Sequence, residues 1–418
     1  MSADVVRARL GRPAQDMLEA AVVLEAWTGA PPGRALADGR RLMSGRPALP
    51  EVSVSAPPAA AKPRRKALEA AAFGVAVVAV AAWARPLRDL IGASGLRDAL
   101  RVALPLTLAV QWTLSSRYLS RPGGVATLAA RPALLAAGAA GLLIPAIAGA
   151  GAVGAVAALL TLLWCGGAIA ARRGRPMGFA AAVALATPPL LAGASPWLVL
   201  SALVLAVAAL AFAAPGPRCL HPGRWDRALL AGLIGAALGV LLVGDASLPW
   251  VATPGEALLL APSILATVYG GGALWRLPAA LSGALVGVRL HERPGRAPTR
   301  LLLGALGRTV AISLALSLLC RELVPWPSSP VAREAALCGF ALLGLVTLLA
   351  SLLEALDRGG RVVLVLGCGV ALELLIRPPF PGAALIAGAA TCTLLLIAAA
   401  VAAVARPATA VATHLWIG

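Results

Sequence analysis

From Ala67 to Ala405 the chain alternates long apolar runs with short breaks that are rich in Arg or in Pro and Gly. Runs of roughly 16–22 residues with few charges match a hydrocarbon core about 30 Å thick, and a chain in lipid must satisfy its backbone internally, so each reads as a helix. Twelve spans are expected, at about 67–84, 99–115, 133–149, 151–171, 177–193, 196–214, 228–244, 256–272, 301–320, 335–356, 361–376 and 383–405. The predicted class is therefore an all-α polytopic membrane protein.

Residues 1–66 follow a different pattern. Arg12 to Thr28 predicts a helix: Pro13 suits its first turn, Asp16 and Glu19 its positive end, and Gly29, Pro31 and Pro32 stop it. A second short helix is expected from Arg34 to Met43. The Pro, Ala and Ser that dominate Ser44 to Pro63 describe a linker, and Lys62 to Lys66 a basic anchor at the membrane edge. Residues 1–43 read either as a poorly ordered cytosolic tail or as a helical hairpin that docks on a cytosolic or membrane partner, the latter suggested by the broad apolar surface of Met17, Leu18, Val22, Leu24 and Trp27. The first 50 residues carry no apolar signal-peptide core, so the first span would direct insertion itself. The expected organisation is a cytoplasmic helical segment over 1–66, an N-lobe over 67–214 and a C-lobe over 215–418.

Charge sets the orientation. The chain carries 36 Lys+Arg against 18 Asp+Glu, a net +18, which could suggest nucleic acid. The Arg residues sit in the breaks between spans without an aromatic stacking surface, so nucleic-acid binding is not expected. Placing the N-terminus inside puts about 28 of the 36 Lys+Arg in inside segments. Both termini are then cytoplasmic, in the inner membrane. Six scattered cysteines without a CxxC pair, and three histidines far apart, predict neither a disulfide framework nor a metal site. Gly270 to Gly272 lacks the Lys-Ser/Thr of a phosphate loop, and no cofactor or catalytic motif is expected.

The chain also suggests an internal duplication. LLTLLW (159–164) leads to the basic break ending at Arg175, an apolar span, a Pro-bearing turn and a long span ending at Ala213. About 187 residues later VTLLAS (346–351) leads through Arg358 and Arg361 to the same order of breaks. Six spans plus six in parallel halves is an architecture of transporters.

The segment LLGLVTLLASLLEALDRGGRVVLVLGCGVALELLI (342–376), followed by GAALIAGAATCTLLLIAAAVAAV (382–404), resembles the late spans of the polysaccharide exporters of the MATE-like flippase superfamily. SILATVYGGGALWRLPAALSGALVGV (263–288) is similar to the span and inside loop before them. The resemblance implies two six-helix lobes around a central cavity and alternating-access movement of a lipid-linked saccharide or a drug, without covalent chemistry. It implies membrane lipid and an anionic lipid-linked saccharide as partners. The N-terminal 66 residues are extra to that family, and two Tyr and five Phe make a sparse lining for a sugar. A cation-coupled small-molecule exporter, a non-transporting scaffold of an envelope assembly and a membrane-embedded lipid transferase stay open beside it.

Charges at membrane depth are the candidate substrate-binding groups. Arg308 lies about a third of the way into a span with Thr309, Ser313 and Ser317 on the same helix. Its guanidinium suits a diphosphate or carboxylate, or snorkels to the headgroups. Glu373 and Arg377, spaced i, i+4, can pair with each other or serve a proton or substrate. Arg101 and Gln111 could face a central cavity with Arg117 at its inner mouth, or make hydrogen bonds inside the bundle.

Overall fold

The computed structural model describes residues 2–10, 14, 17–43, 71–119 (except 73, 77, 80 and 81), 138, 151–213 (except 173 and 174), 225–243, 296–323 and 330–404 (except 357). All regular structure among them is helical. Among the described residues seven helices are long and apolar enough to cross a membrane: Ala152–Ala171, Pro196–Ala213, Trp225–Val243, Leu302–Glu322, Glu334–Glu354, Gly359–Ile376 and Ala383–Ala403. The chain is a multi-pass membrane protein, and these seven match seven of the twelve expected spans. An eighth, expected over 177–193, is the shorter apolar helix Pro176–Leu191. The expected span 99–115 falls inside a long charged helix, Ala84–Leu119, and 67–84 is described only in part. The expected spans 133–149 and 256–272 lie outside the described residues, apart from Gly138.

The chain divides into two compact units, Met1–Ala56 and Pro57–Gly418. The first contains α1 (Ser2–Leu10), α2 (Met17–Thr28) and α3 (Pro32–Met43). Helix α1 was not legible in the sequence, because its mixture of Asp, Arg and Val lacks an apolar stripe long enough to predict a helix. It nevertheless contributes Val6 to a small core with Ala20, Ala21, Val23, Leu24 and Ala35. Gly29 ends α2 with φ +64, a conformation that favours glycine. Only part of the apolar surface expected on α2 is covered within this unit, and Met17 and Val22 are half-buried. Leu24 is buried, while Leu18 and Trp27 remain exposed, with the Arg9 guanidinium 3.8 Å above the Trp27 ring.

In the second unit, α4 (Ala84–Leu119) runs for 36 residues and kinks at Gly92, where φ is 77. It is followed by α5 (Ala152–Arg172), α6 (Pro176–Leu191), α7 (Pro196–Ala213), α8 (Trp225–Val243), α9 (Arg296–Leu323), α10 (Pro330–Ala355), α11 (Gly359–Ile376) and α12 (Pro381–Val404). Among the described helices the most extensive pairing joins α4 to α8. Lipid offers no hydrophobic drive between helices, so close backbone approach through small residues supplies the attraction. Gly232, Gly235 and Gly239 provide it. A Cβ on Gly235 would lie 2.7 Å from the Leu108 carbonyl carbon, and one on Gly239 would lie 2.8 Å from the Pro105 nitrogen. Pro105, which cannot donate to the Arg101 carbonyl, presents its backbone to this crossing.

Helices α5–α7 and α10–α12 are two versions of one three-helix unit. In each, the first and third helices pack most extensively, the second packs on the third, and the first and second touch least. Both first helices close on the same backbone turn: Arg175 N–H donates to Ala170 O at 3.0 Å, and Arg358 N–H donates to Leu353 O at 2.8 Å. Each Arg then caps the second helix. With Arg175 and Arg358 aligned, the burial patterns coincide. Leu160, Leu163 and Ile169 of α5 match Leu343, Val346 and Leu352 of α10, and Phe179 and Val183 of α6 match Val362 and Leu366 of α11. In the third helix Leu200, Leu203, Val207 and Ala211 match Ala389, Cys392, Leu396 and Ala400, all buried. The register is 183 positions over the first two helices and 189 over the third. The extra six residues lengthen both arms of the α11–α12 hairpin. The sequence alignment at about 187 is thus off by one helical turn: among Leu/Ala repeats, letters matched a turn out of place, while burial fixes the true register.

Each copy has its own core. Leu160, Leu163, Phe179, Val183, Leu200 and Val207 form one with Trp83 and Leu96. Val346, Leu349, Leu353, Val362, Leu366 and Leu396 form the other with Ile234, Leu238 and Leu241 of α8. Leu337, Phe340 and Leu385 of the second copy reach into the first core and join the two.

Candidate functional site

The candidate residues are spread over three helices. Arg308 stands on the exposed face of α9, its Nε donating to Gly304 O one turn back at 3.1 Å. Thr309, Ser313 and Ser317 lie on the buried face of the same helix, so the structure separates them from Arg308. Thr309 spends its hydroxyl on Ala305 O at 2.9 Å.

Arg101, Gln111 and Arg117 share α4. The Arg101 guanidinium donates to Asp98 at 3.1 Å, an exposed i, i+3 pair worth little in water. Gln111 donates from its amide to Trp164 O of α5 at 3.1 Å, tying α4 to the first copy. Arg117 is in the last turn of α4. A further polar link on this side, absent from the sequence reading, joins Trp83 to Thr187 of α6: the indole N–H donates to the hydroxyl at 2.9 Å, and the hydroxyl donates to Val183 O. Nothing in local sequence joins two residues 104 positions apart.

Glu373 and Arg377 are brought together at the end of α11. Arg377 caps the helix, and its backbone N–H donates to Glu373 O at 2.9 Å. The Glu373 side chain is buried, with the residue 1% exposed, and is the one acid among the buried polar residues of the described chain. It lies where α11 meets α12. A Cβ on Gly388 would sit 3.2 Å from Glu373 Cβ and 3.5 Å from a Leu241 methyl of α8. One turn back along α11, Gly369 faces Cys392, whose thiol donates weakly to Val365 O at 3.6 Å. Small residues on both helices therefore bring the α11 and α12 backbones together around the acid. The i, i+4 spacing of Glu373 and Arg377 is visible in the chain, whereas the facing glycine is not, because that contact crosses between helices.

Among the described residues no group of three His, Cys, Asp or Glu is gathered to hold a metal ion. The three histidines lie outside the described residues. Fold and polar groups together define the chain as a multi-pass helical membrane protein that contains a repeated three-helix unit. Comparison with protein-family models, curated proteins and solved structures finds no match for it.

Proposed function

We propose that the protein is a transporter: a two-lobed, MATE-like flippase that moves an anionic lipid-linked saccharide across the cytoplasmic membrane by alternating access. The observation that carries this reading is the three-helix unit present twice. Repeated helical units packed on one another provide two comparable packings that can exchange by rocking, which a solute pathway between halves requires. Two of the segments that resemble the polysaccharide exporters, 342–376 and 382–404, cover about half of α10, all of α11 and all of α12 except its first residue, and so fall on the second copy. On this reading twelve spans leave both termini in the cytosol, and Arg101, Arg117 and Arg308 supply cationic charge for a diphosphate headgroup. The separate unit at Met1–Ala56 would serve as the docking module for a partner.

The test is a leaflet-exchange assay on the full-length chain in liposomes containing a short-chain polyprenyl diphosphate labelled with a fluorescent, dithionite-quenchable group. Dithionite added outside should quench essentially all the probe in protein-containing vesicles, against only the outer-leaflet share in protein-free ones. An unchanged quenchable share in vesicles shown to contain folded protein would contradict the flippase reading.

A further inference from the structure

The two copies differ most tellingly at one place. In the first, Ala186 and Leu190 near the end of α6 and Val199 and Leu203 of α7 belong to one apolar core. At the matching positions the second copy has Gly369 and Glu373 against Gly388 and Cys392. Leu190 and Glu373 are equally buried, at 1%. An aliphatic contact has thus been replaced by a tight crossing of small residues enclosing a carboxyl group. Packing alone does not ask for an acid here, since the first copy solves the same geometry with leucine. A carboxyl at this depth is costly when ionised, and acids in spans serve as ion or proton carriers.

We propose that Glu373 is the proton-carrying group of the protein, coupling the α11–α12 crossing to the pH of the compartment that faces residues 377–380. This rests on the transport reading above. Glu373 is three residues from the end of its span, about 4.5 Å along the axis, so one face of the membrane is close. The carboxylate takes a proton from water on that side and becomes neutral, which lets it stay in the closed crossing against Gly388. On release of the proton the charge draws water in, and the helices part.

The surroundings favour a proton over a metal cation. Among the described residues, Gly369, Gly388, Cys392 and Leu241 at this crossing offer a thiol and backbone carbonyls, whereas hard cations collect six or more oxygen ligands. Among the described residues, the titratable and charged groups beside the acid include Cys392 on α12, and Cys368 and Arg377 on α11. Helix α8 presents Leu241, with its Asp226 and Arg227 at the opposite end. Helix α10 carries Glu354 beside the start of α11, away from Glu373, and Glu334 and Cys338 toward its other end, the end at which α11 finishes.

The experiment uses the full-length protein in liposomes, as wild type, Glu373→Gln and Glu373→Leu, the last taking the first copy's residue in case glutamine does not fold. Infrared spectroscopy follows the protonated-carboxyl stretch between pH 5 and pH 8, and exchange of the labelled polyprenyl diphosphate is timed with and without a pH gradient. The wild type should show a titrating carboxyl band that both variants lack. Its exchange rate should change with pH by up to about tenfold per unit, the limit for one proton, and the variants should exchange at a rate independent of pH. A band lost in the variants while the wild type exchanges no probe would leave the proton site standing and remove the flippase reading. An unchanged band and pH dependence in folded variants, or a rate that follows sodium rather than pH, would overturn the proposal.

Discussion

Replacing Gly235 by leucine is expected to abolish the folded membrane unit, and replacing it by alanine to lower its thermal midpoint in detergent. Glycine inside a helix is normally a weakness of roughly 0.5–1 kcal/mol relative to alanine, so the propensity term alone would make Gly235→Ala stabilising. The clash decides the sign. The atoms that a new Cβ meets are backbone atoms of Leu108 and Ala109, the latter's nitrogen at 3.0 Å, and backbone cannot rotate aside as a side chain can. Overpacking costs about 1–3 kcal/mol where the neighbours can yield, and more is expected here. Gly367 supplies the control. It is exposed on α11 with nothing within 4 Å of its missing Cβ, so Gly367→Ala should be neutral or slightly stabilising. Size-exclusion profiles and thermal midpoints of the three variants check this. Equal behaviour of Gly235→Ala and Gly367→Ala would show that the α4–α8 crossing is not the close one described.

Removing Trp83 should be nearly as damaging. The indole is fully buried between α4 and the first copy, and truncation to alanine opens a cavity that costs about 3–5 kcal/mol. Trp83→Phe keeps most of the volume and loses the hydrogen bond to Thr187, so a further part of about 1 kcal/mol can be separated. The order of thermal midpoints should be wild type, then Trp83→Phe, then Trp83→Ala. A Trp83→Ala protein as stable as wild type would place the indole outside the core.

These two sites also mark what could be read from the chain beforehand. Seven spans were legible because a long apolar run with few charges has few alternatives to a membrane helix. The glycines of α8 were visible as letters, but their partner, the Pro105 turn of α4, lies more than a hundred residues away in sequence. The duplication was legible as an order of basic and Pro-bearing breaks, whereas its register was not: alanine and leucine repeat too often for letters to fix a turn. Arg308 showed the same limit. Its depth in a span was readable, but the face it occupies was set by the packing of Leu302, Ala305 and Thr309 on the other side of α9. Glu373 was visible as an acid in a span, while its meaning came from the first copy, where leucine holds the equivalent place.

The repeat is the claim on which the account rests, and distances between spin labels test it directly. Leu185 and Leu205 lie on exposed faces of α6 and α7, at 77% and 70%, and the matching positions are Cys368 and Leu394 of α11 and α12, the latter also 70% exposed. Labels are placed on cysteines at each pair in turn, on a chain otherwise free of cysteine. The same mean distance is expected for the Leu185–Leu205 pair and the Cys368–Leu394 pair. Means that differ by a helical turn, about 5.4 Å, or more would contradict the shared register and with it the three-helix unit.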